Sequence, residues 1–250
     1  MGTQAILFIN HVTKTFGGLK AVDDVSFEIS EGEITSLVGP NGSGKTTLFN
    51  CISGIIPTNN GEIRFQGEDI THLSPARICK KGIGRTFQVV RPFLKLTCIE
   101  NLLVGWYFGQ RAHQKGVRRE ALQLLEFVGL GKKPETLALE LRLAERKRLE
   151  IARALAIRPR LLLLDEVAAG LNEAETQDMI DLLRQIHSQG IVLFVVEHVM
   201  SVVMKISHRI VVLNEGKKIA EGSPEMIAND QRVIEIYLGE PDPTQLNSKN

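Results

Sequence analysis

Apolar and polar positions alternate with a period near two along residues 5–12, 25–29 and 62–65, the spacing of half-buried strands, with Gly17-Gly18, Glu31-Gly32 and Gly67 as breaks between them. Residues 34–38 read as a fourth strand that runs straight into Gly39-Pro40-Asn41-Gly42-Ser43-Gly44-Lys45-Thr46-Thr47. A helix is predicted over 46–53, closed by Gly54 and Pro57, and a short strand over 83–87. From about Val89 to Arg158 the apolar spacing lengthens to three and four, which predicts helices over 99–108, 117–128 and 143–156. Residues 161–164 and 191–196 are unalternating apolar runs, as expected of strands buried on both faces of a parallel sheet. A hairpin is predicted over 209–213 and 217–220 around Glu215-Gly216, and the polar tail 241–250 reads as a loose end. The pattern describes one unit over 1–250: an α/β core (1–88 and 159–240) interrupted by a helical insert (89–158).

Composition narrows the classes. The chain has 250 residues, 43% hydrophobic and 24% charged, which suits a globular protein with a large core. Thirty Lys+Arg against 29 Asp+Glu offer no electrostatic grip on nucleic acid or anionic lipid, and 5% aromatics offer no base-stacking platform. Three cysteines, Cys51, Cys79 and Cys98, form no CxxC pair and point to a reducing compartment. No apolar stretch reaches the roughly 18–20 residues of a membrane span. The first ten residues lack the basic region and the apolar length expected of a signal peptide, and Ile at position 6 is not the Ser or Thr expected of a myristoylation site. A membrane role would depend on a partner.

The strand–GxxxxGK[ST]–helix context makes residues 39–46 a phosphate cradle. Glycines let successive backbone N–H groups turn inward around phosphate oxygens, and the helix N-terminus adds partial positive charge. Lys45 is placed to reach the β- and γ-phosphates, and the Thr46 hydroxyl to ligate Mg²⁺. The run 161–164 delivers Asp165 and Glu166 to the carboxyl edge of the sheet, Asp165 for the Mg²⁺ shell and Glu166 to polarise an attacking water. Taken alone, the two acids would serve equally well as caps of the next helix. His198 follows another buried strand and Gln88 follows the short one; each alone is more often structural or merely exposed than functional.

In that order and spacing these residues resemble the nucleotide-binding subunit of an ABC transporter, over about residues 5–240. The resemblance implies a P-loop NTPase (RecA-like) core with an N-terminal antiparallel β subdomain and an inserted helical subdomain. GPNGSGKTT resembles the Walker A loop, with Asn41, Gly42, Ser43, Gly44, Lys45, Thr46 and Thr47 binding phosphates, and LLLLDE the Walker B strand with its catalytic glutamate. Gln88 matches the glutamine that senses Mg²⁺ and permease, and His198 the switch histidine. Phe16 stands where the family places an aromatic ring against adenine, with Val22 beside it, and Ala169-Gly170-Leu171-Asn172 matches a segment crossing the dimer interface. Phe16-Gly17-Gly18-Leu19, Ala21-Val22, Arg85-Thr86-Phe87-Gln88, Glu100-Asn101, the helix from Leu149 to Ala156 and Tyr237-Leu238-Gly239-Glu240 resemble the branched-chain amino-acid importer branch; urea and short-amide importers share much of this.

The match departs at the signature, usually Leu-Ser-x-Gly-Gln or -Glu. Here Leu141-Arg142-Leu143-Ala144-Glu145 replaces its serine by Arg142 and a glycine by Ala144. A lost hydroxyl removes a hydrogen bond to a charged group, about 1.5–3 kcal/mol, and the Ala144 Cβ obstructs close backbone approach. Arg142 can instead pair with phosphate, or residues 142–150 can be a solvated charged helix face. Val167 replaces a usual proline and Val199 a frequent aspartate. The resemblance implies a peripheral ATPase on the cytoplasmic face of the membrane, using ATP and Mg²⁺. It would pair with a second ABC ATPase, as hetero- or homodimer, on two permeases served by a substrate-binding protein. The heterodimer would have unequal sites. The segment after Gln88, with Pro92-Phe93-Leu94, is expected either at the permease or in the core of the insert. DNA-repair, translation and kinase P-loop proteins are the alternatives. The nucleic-acid roles are disfavoured by the single P-loop, the lack of sustained heptads between Lys45 and Asp165, and the balanced charge, and a kinase by Gln88, His198 and the branch motifs lying in place.

Overall fold

The computed structural model describes residues 5–86, 92–107 and 116–238. Phe87, Gln88, Val89, Phe108, Gly239, Glu240 and the tail 241–250 lie outside the described residues. The chain opens with a long hairpin, β1 (Ala5–Phe16) and β2 (Leu19–Ser30), turning at Gly17-Gly18. Both strands outrun the predicted 5–12 and 25–29. Register shifts on either side of Val12 break the period-two signal, while pairing continues to Phe16 opposite Leu19. Strand β3 (Ile34–Val38) leads into α1 (Lys45–Ile52), and β4 (Asn60–Phe65) and β5 (Glu68–Asp69) extend the hairpin into an antiparallel sheet of order β2-β1-β4-β5.

Helix α2 (Pro75–Lys81) was not legible in the apolar pattern, because it buries only Ile78; Pro75 at its start and Gly82 at its end mark it instead. After β6 (Ile83–Arg85) come α3 (Cys98–Tyr107), α4 (Val117–Phe127) and α5 (Leu143–Leu155), close to the predicted helices. The helical spacing from Val89 is not helix over 92–97. That stretch is a turn tied down by buried Asn101, whose Nδ2 donates to the carbonyls of Phe93 (3.1 Å), Leu96 (3.3 Å) and Thr97 (3.0 Å). The chain then alternates: β7 (Leu161–Asp165), α6 (Glu173–Ser188), β8 (Val192–Val196), α7 (Met200–Ile206), the antiparallel hairpin β9 (Arg209–Asn214) and β10 (Lys217–Gly222), α8 (Pro224–Ala228) and α9 (Gln231–Leu238).

The second sheet has the order β10-β9-β3-β8-β7-β6 and is parallel apart from its β9–β10 edge. Its central strands feed two cores, as unalternating runs must. Leu162, Leu164, Leu193 and Val195 pack with α3–α6. Leu161, Leu163, Val192, Phe194 and Val196 pack with α1, α2 and the antiparallel sheet. Phe194 joins the layers there, its ring 4.9 Å from Phe49 of α1 and 5.7 Å from Phe27 of β2. Burying each such side chain contributes about 1.5–3 kcal/mol.

Candidate active site

Strand order builds the site. β8 lies between β3 and β7, and all three run parallel. Their carboxyl ends therefore present the loop 39–44, the pair Glu197-His198 and the pair Asp165-Glu166 side by side, at the edge where open α/β sheets bind ligands. A cavity of about 190 Å³ opens there, lined by Ala21, residues 41–47, Glu166 and His198.

The loop is held from both flanks. Gly216, in the β9–β10 turn, donates its N–H to the Ser43 carbonyl (3.1 Å), and its own carbonyl accepts from Asp23 N–H (2.8 Å). Gly44, the residue before α1, has φ +101, and a Cβ there would stand 2.2 Å from the Ala21 carbonyl oxygen. Only glycine allows the loop to lie this close to β2. Lys45 is buried, and its Nζ donates to the carbonyls of Gly39 (2.7 Å) and Pro40 (2.9 Å). Burial lowers the Lys45 pKa, a shift opposed by the nearby carboxylates of Glu166 and Asp165. Asn41, Gly42 and Thr46 are exposed on the cavity rim.

Asp165 is buried, and neither carboxylate oxygen has a hydrogen-bond partner among the described residues; Arg85 Nη2 stands 3.6 Å from Oδ2. Burial raises its pKa, with Arg85 pulling the other way. An orphaned buried carboxylate below a loop carrying an exposed threonine hydroxyl fits a hard divalent cation such as Mg²⁺. Among the described residues no three His, Cys, Asp or Glu side chains cluster as a metal cage, so Asp165 and Thr46 would share such an ion with substrate phosphates. Glu166 has φ +50 and its Oε1 lies 2.7 Å from His198 Nε2. The acids do not cap α6. Asn172 does so, its Oδ1 accepting from Glu175 N–H (2.9 Å) while the Glu175 carboxylate accepts from Asn172 N–H (3.1 Å).

The remaining expected residues divide. Phe16 is 49% exposed at the tip of the β1–β2 hairpin, with Lys14 Nζ 5.1 Å from its ring centroid. Val22 is fully buried in the core, contrary to its expected place beside adenine; its neighbour Ala21 lines the cavity, because alternation along β2 turns only one of the two outward. Gln88 lies outside the described residues. Arg142 precedes α5 and is exposed, its N–H donating to Glu145 Oε2 (3.0 Å). A guanidinium has no acceptor, so Arg142 cannot return the capping bond that a serine makes. Leu143 is 47% exposed and packs over Gly170 of the 169–172 segment, where a Cβ would stand 3.0 Å from Leu143 Cδ2. No residue of 141–145 lines the cavity.

The solvated-face reading of 142–150 fails, since Lys147, Leu149 and Glu150 are all buried. Lys147 Nζ donates to the Glu166 carbonyl (2.7 Å), and buried Glu197 accepts from Ala168 N–H (2.7 Å). Sequence reasoning missed Lys147, Glu197 and Arg85 as site residues. The available signals were an acid ending the apolar run of β8 and an arginine two residues beyond Ile83. Phe93 and Leu94 are exposed and Pro92 is buried, so the two apolar side chains are not insert core. Beside Phe93 a second, mainly apolar cavity of about 300 Å³ is lined by Ile55, Ile78, Leu102, Val104 and Ala154, with Arg85, Asn101, Glu150 and Arg153 at its edge.

Comparison with known proteins agrees with this geometry. The family described as ABC transporter matches residues 22–169, and the family described as branched-chain amino acid ATP-binding cassette transporter matches residues 217–243. The chain is 41% identical to the high-affinity branched-chain amino acid transport ATP-binding protein BraF of Pseudomonas aeruginosa, over 95% of this chain and 99% of that one. It is 40% identical to the corresponding LivG protein of Escherichia coli K12, with the same coverage. Among solved structures, an ATP-binding cassette of an ABC transporter in its ADP conformation superposes with a TM-score of 0.87 at 33% identity, over 95% of this chain and 100% of that one. A dimeric bacterial ABC transporter cassette superposes with a TM-score of 0.80 at 28% identity, over 87% and 98%.

Proposed function

This chain belongs to the ABC transporter family of ATP-binding proteins, and from that premise we propose that it hydrolyses ATP to energise import of branched-chain amino acids. The single observation that carries the reading is the shared sheet edge. A phosphate cradle and a Glu166–His198 pair 2.7 Å apart open on one small cavity, and the orphaned carboxylate of Asp165 is buried next to Glu166 at the same edge. Residues 41–47 hold the phosphates through backbone N–H groups. Lys45 exchanges its carbonyl partners for phosphate oxygens, which present the stronger, charged acceptor. Thr46 and Asp165, together with Gln88, would hold Mg²⁺, which when bound would supply positive charge against the phosphates. Glu166 accepts the proton of the attacking water or orients it, and His198 stabilises charge on the transferred group and fixes the Glu166 carboxylate. Phe16, already exposed at the hairpin tip, offers its ring to the adenine base. Glu166→Gln should lower kcat by about 10²–10⁴-fold while ATP still binds. Hydrolysis at the normal rate by that variant would refute the assignment.

The working unit is a dimer on two permeases at the cytoplasmic face of the membrane. Support for the dimer comes from the separation of the two half-sites, since Arg142–Glu145 stand outside the cavity of their own chain and Arg142 and Leu143 are exposed toward a partner. Because Arg142 and Ala144 replace serine and glycine, pairing with a second ATPase that keeps them would give unequal sites. No helix among the described residues is long and apolar enough to cross a membrane; in this reading the permeases hold the chain there. Exposed Phe93 and Leu94, beside the apolar cavity near Ile55, form the contact that best suits a permease segment. The names of the relatives favour branched-chain amino acids over urea or short amides as cargo.

A further inference from the structure

We propose that Lys147 is a positioning residue that holds the backbone of Glu166 in its productive conformation and ties the first turns of α5 to it. This rests on the reading of Glu166 as the group that activates water. Glu166 sits at φ +50, a conformation that costs a non-glycine residue energy and persists only where its surroundings impose it. The surroundings here are specific. The Glu166 N–H donates to the Val196 carbonyl at 2.9 Å, and its carbonyl accepts from Lys147 Nζ at 2.7 Å. Ala169 N–H approaches the same carbonyl at 3.3 Å, closing the turn 166–169.

A second buried charge grips that turn from the other side. Glu197, 1% exposed at the end of β8, accepts from Ala168 N–H through Oε1 at 2.7 Å and from His198 N–H through Oε2 at 3.3 Å. Lys147, 6% exposed, comes from α5, so opposite charges from two different elements fix the backbone between Asp165 and α6. Burial depresses the pKa of Lys147 and raises that of Glu197, so each charge is disfavoured by its surroundings. A methionine would fill the Lys147 site without that desolvation cost. What the ammonium supplies is a donor aimed at one main-chain oxygen, that of the residue whose carboxylate meets His198. Lys147 lies near the start of the helix whose first residues are Leu143 and Ala144, so a shift of α5 moves the donor as well.

The test is hydrogen–deuterium exchange of the full-length chain, with and without Mg-ATP, followed across residues 164–171. Lys147→Met should speed exchange of the Ala168 and Ala169 amides about tenfold or more, with β3 and β8 unchanged, and Lys147→Arg should restore protection. In turnover assays Lys147→Met should lower kcat about 10–100-fold with KM for ATP within about twofold, the split expected of a group that acts through another. Wild-type exchange at Ala168 and Ala169 in Lys147→Met overturns the proposal. So does loosening spread through the core that Lys147→Arg fails to rescue, the mark of a space-filling role. If Lys147→Met does not fold, Lys147→Leu, which also removes the donor, is measured in its place under the same criteria. Glu166→Gln separates the two readings: full turnover there removes the role of Glu166, while the exchange data still judge the brace.

Discussion

Gly44 offers the sharpest test of how the phosphate loop is built. In Gly44→Ala the new Cβ would stand 2.2 Å from the Ala21 carbonyl oxygen, whereas C···O contacts settle near about 3.3 Å. The neighbour is backbone of β2, with no flexible side chain to swing aside, so loop or strand must move by about 1 Å. The φ of +101 adds a conformational penalty of about 1–2 kcal/mol for an L-residue, and the forced displacement adds about 1–3 kcal/mol. A total near 3 kcal/mol corresponds to a fall in Tm of about 6–12 °C for a chain of this size. Gly190→Ala is the control, because φ is +83 there and nothing lies within 4 Å of the added Cβ. It should cost only the conformational part. The displacement also tilts the N–H groups of the cradle, so ATP affinity should fall about tenfold or more in Gly44→Ala and stay unchanged in Gly190→Ala. Thermal unfolding and equilibrium ATP binding measure both effects. Equal Tm losses in the two variants, with wild-type ATP affinity in Gly44→Ala, would refute the close-approach argument.

Three further outcomes are expected. Burial holds the Asp165 carboxyl above the ordinary carboxylate range, so the unfolded chain releases this proton first and ionisation subtracts stability as pH rises through that interval. Asp165→Asn should therefore raise Tm near neutral pH, by about 0.5–2 kcal/mol of stability, with a gain that shrinks toward acid pH; a lower Tm at neutral pH would contradict it. Phe93 is 44% exposed, so Phe93→Asp should leave Tm and ATP binding intact while releasing the chain from its permeases in a co-purification assay; an undiminished complex would count against that surface. Arg142→Ser combined with Ala144→Gly should raise turnover of the reconstituted transporter through the partner's Walker site, and unchanged turnover would argue against unequal sites.

The chain's own periodicities determined a good deal. The runs 161–164 and 191–196 cannot alternate because both faces are covered, and that signature is local. The glycine spacing of residues 39–46 and the helical spacing of 143–156 are local too, which is why the cradle and α5 stand within a residue or two of their expected limits. Tertiary structure decided the rest, since each remaining feature depends on what lies beside a residue rather than along the chain. The lateral order β3-β8-β7 brings Lys45, His198 and Glu166 to one cavity, and no periodicity encodes lateral order. The hairpin ran past its expected ends because register shifts erase alternation without ending the pairing. Val22 is buried and its neighbour Ala21 lines the cavity because facing is set by the sheet. Lys147 looked like one charge in a solvated row; the turn carrying Glu166 covers it, and burial makes that lysine a directed donor.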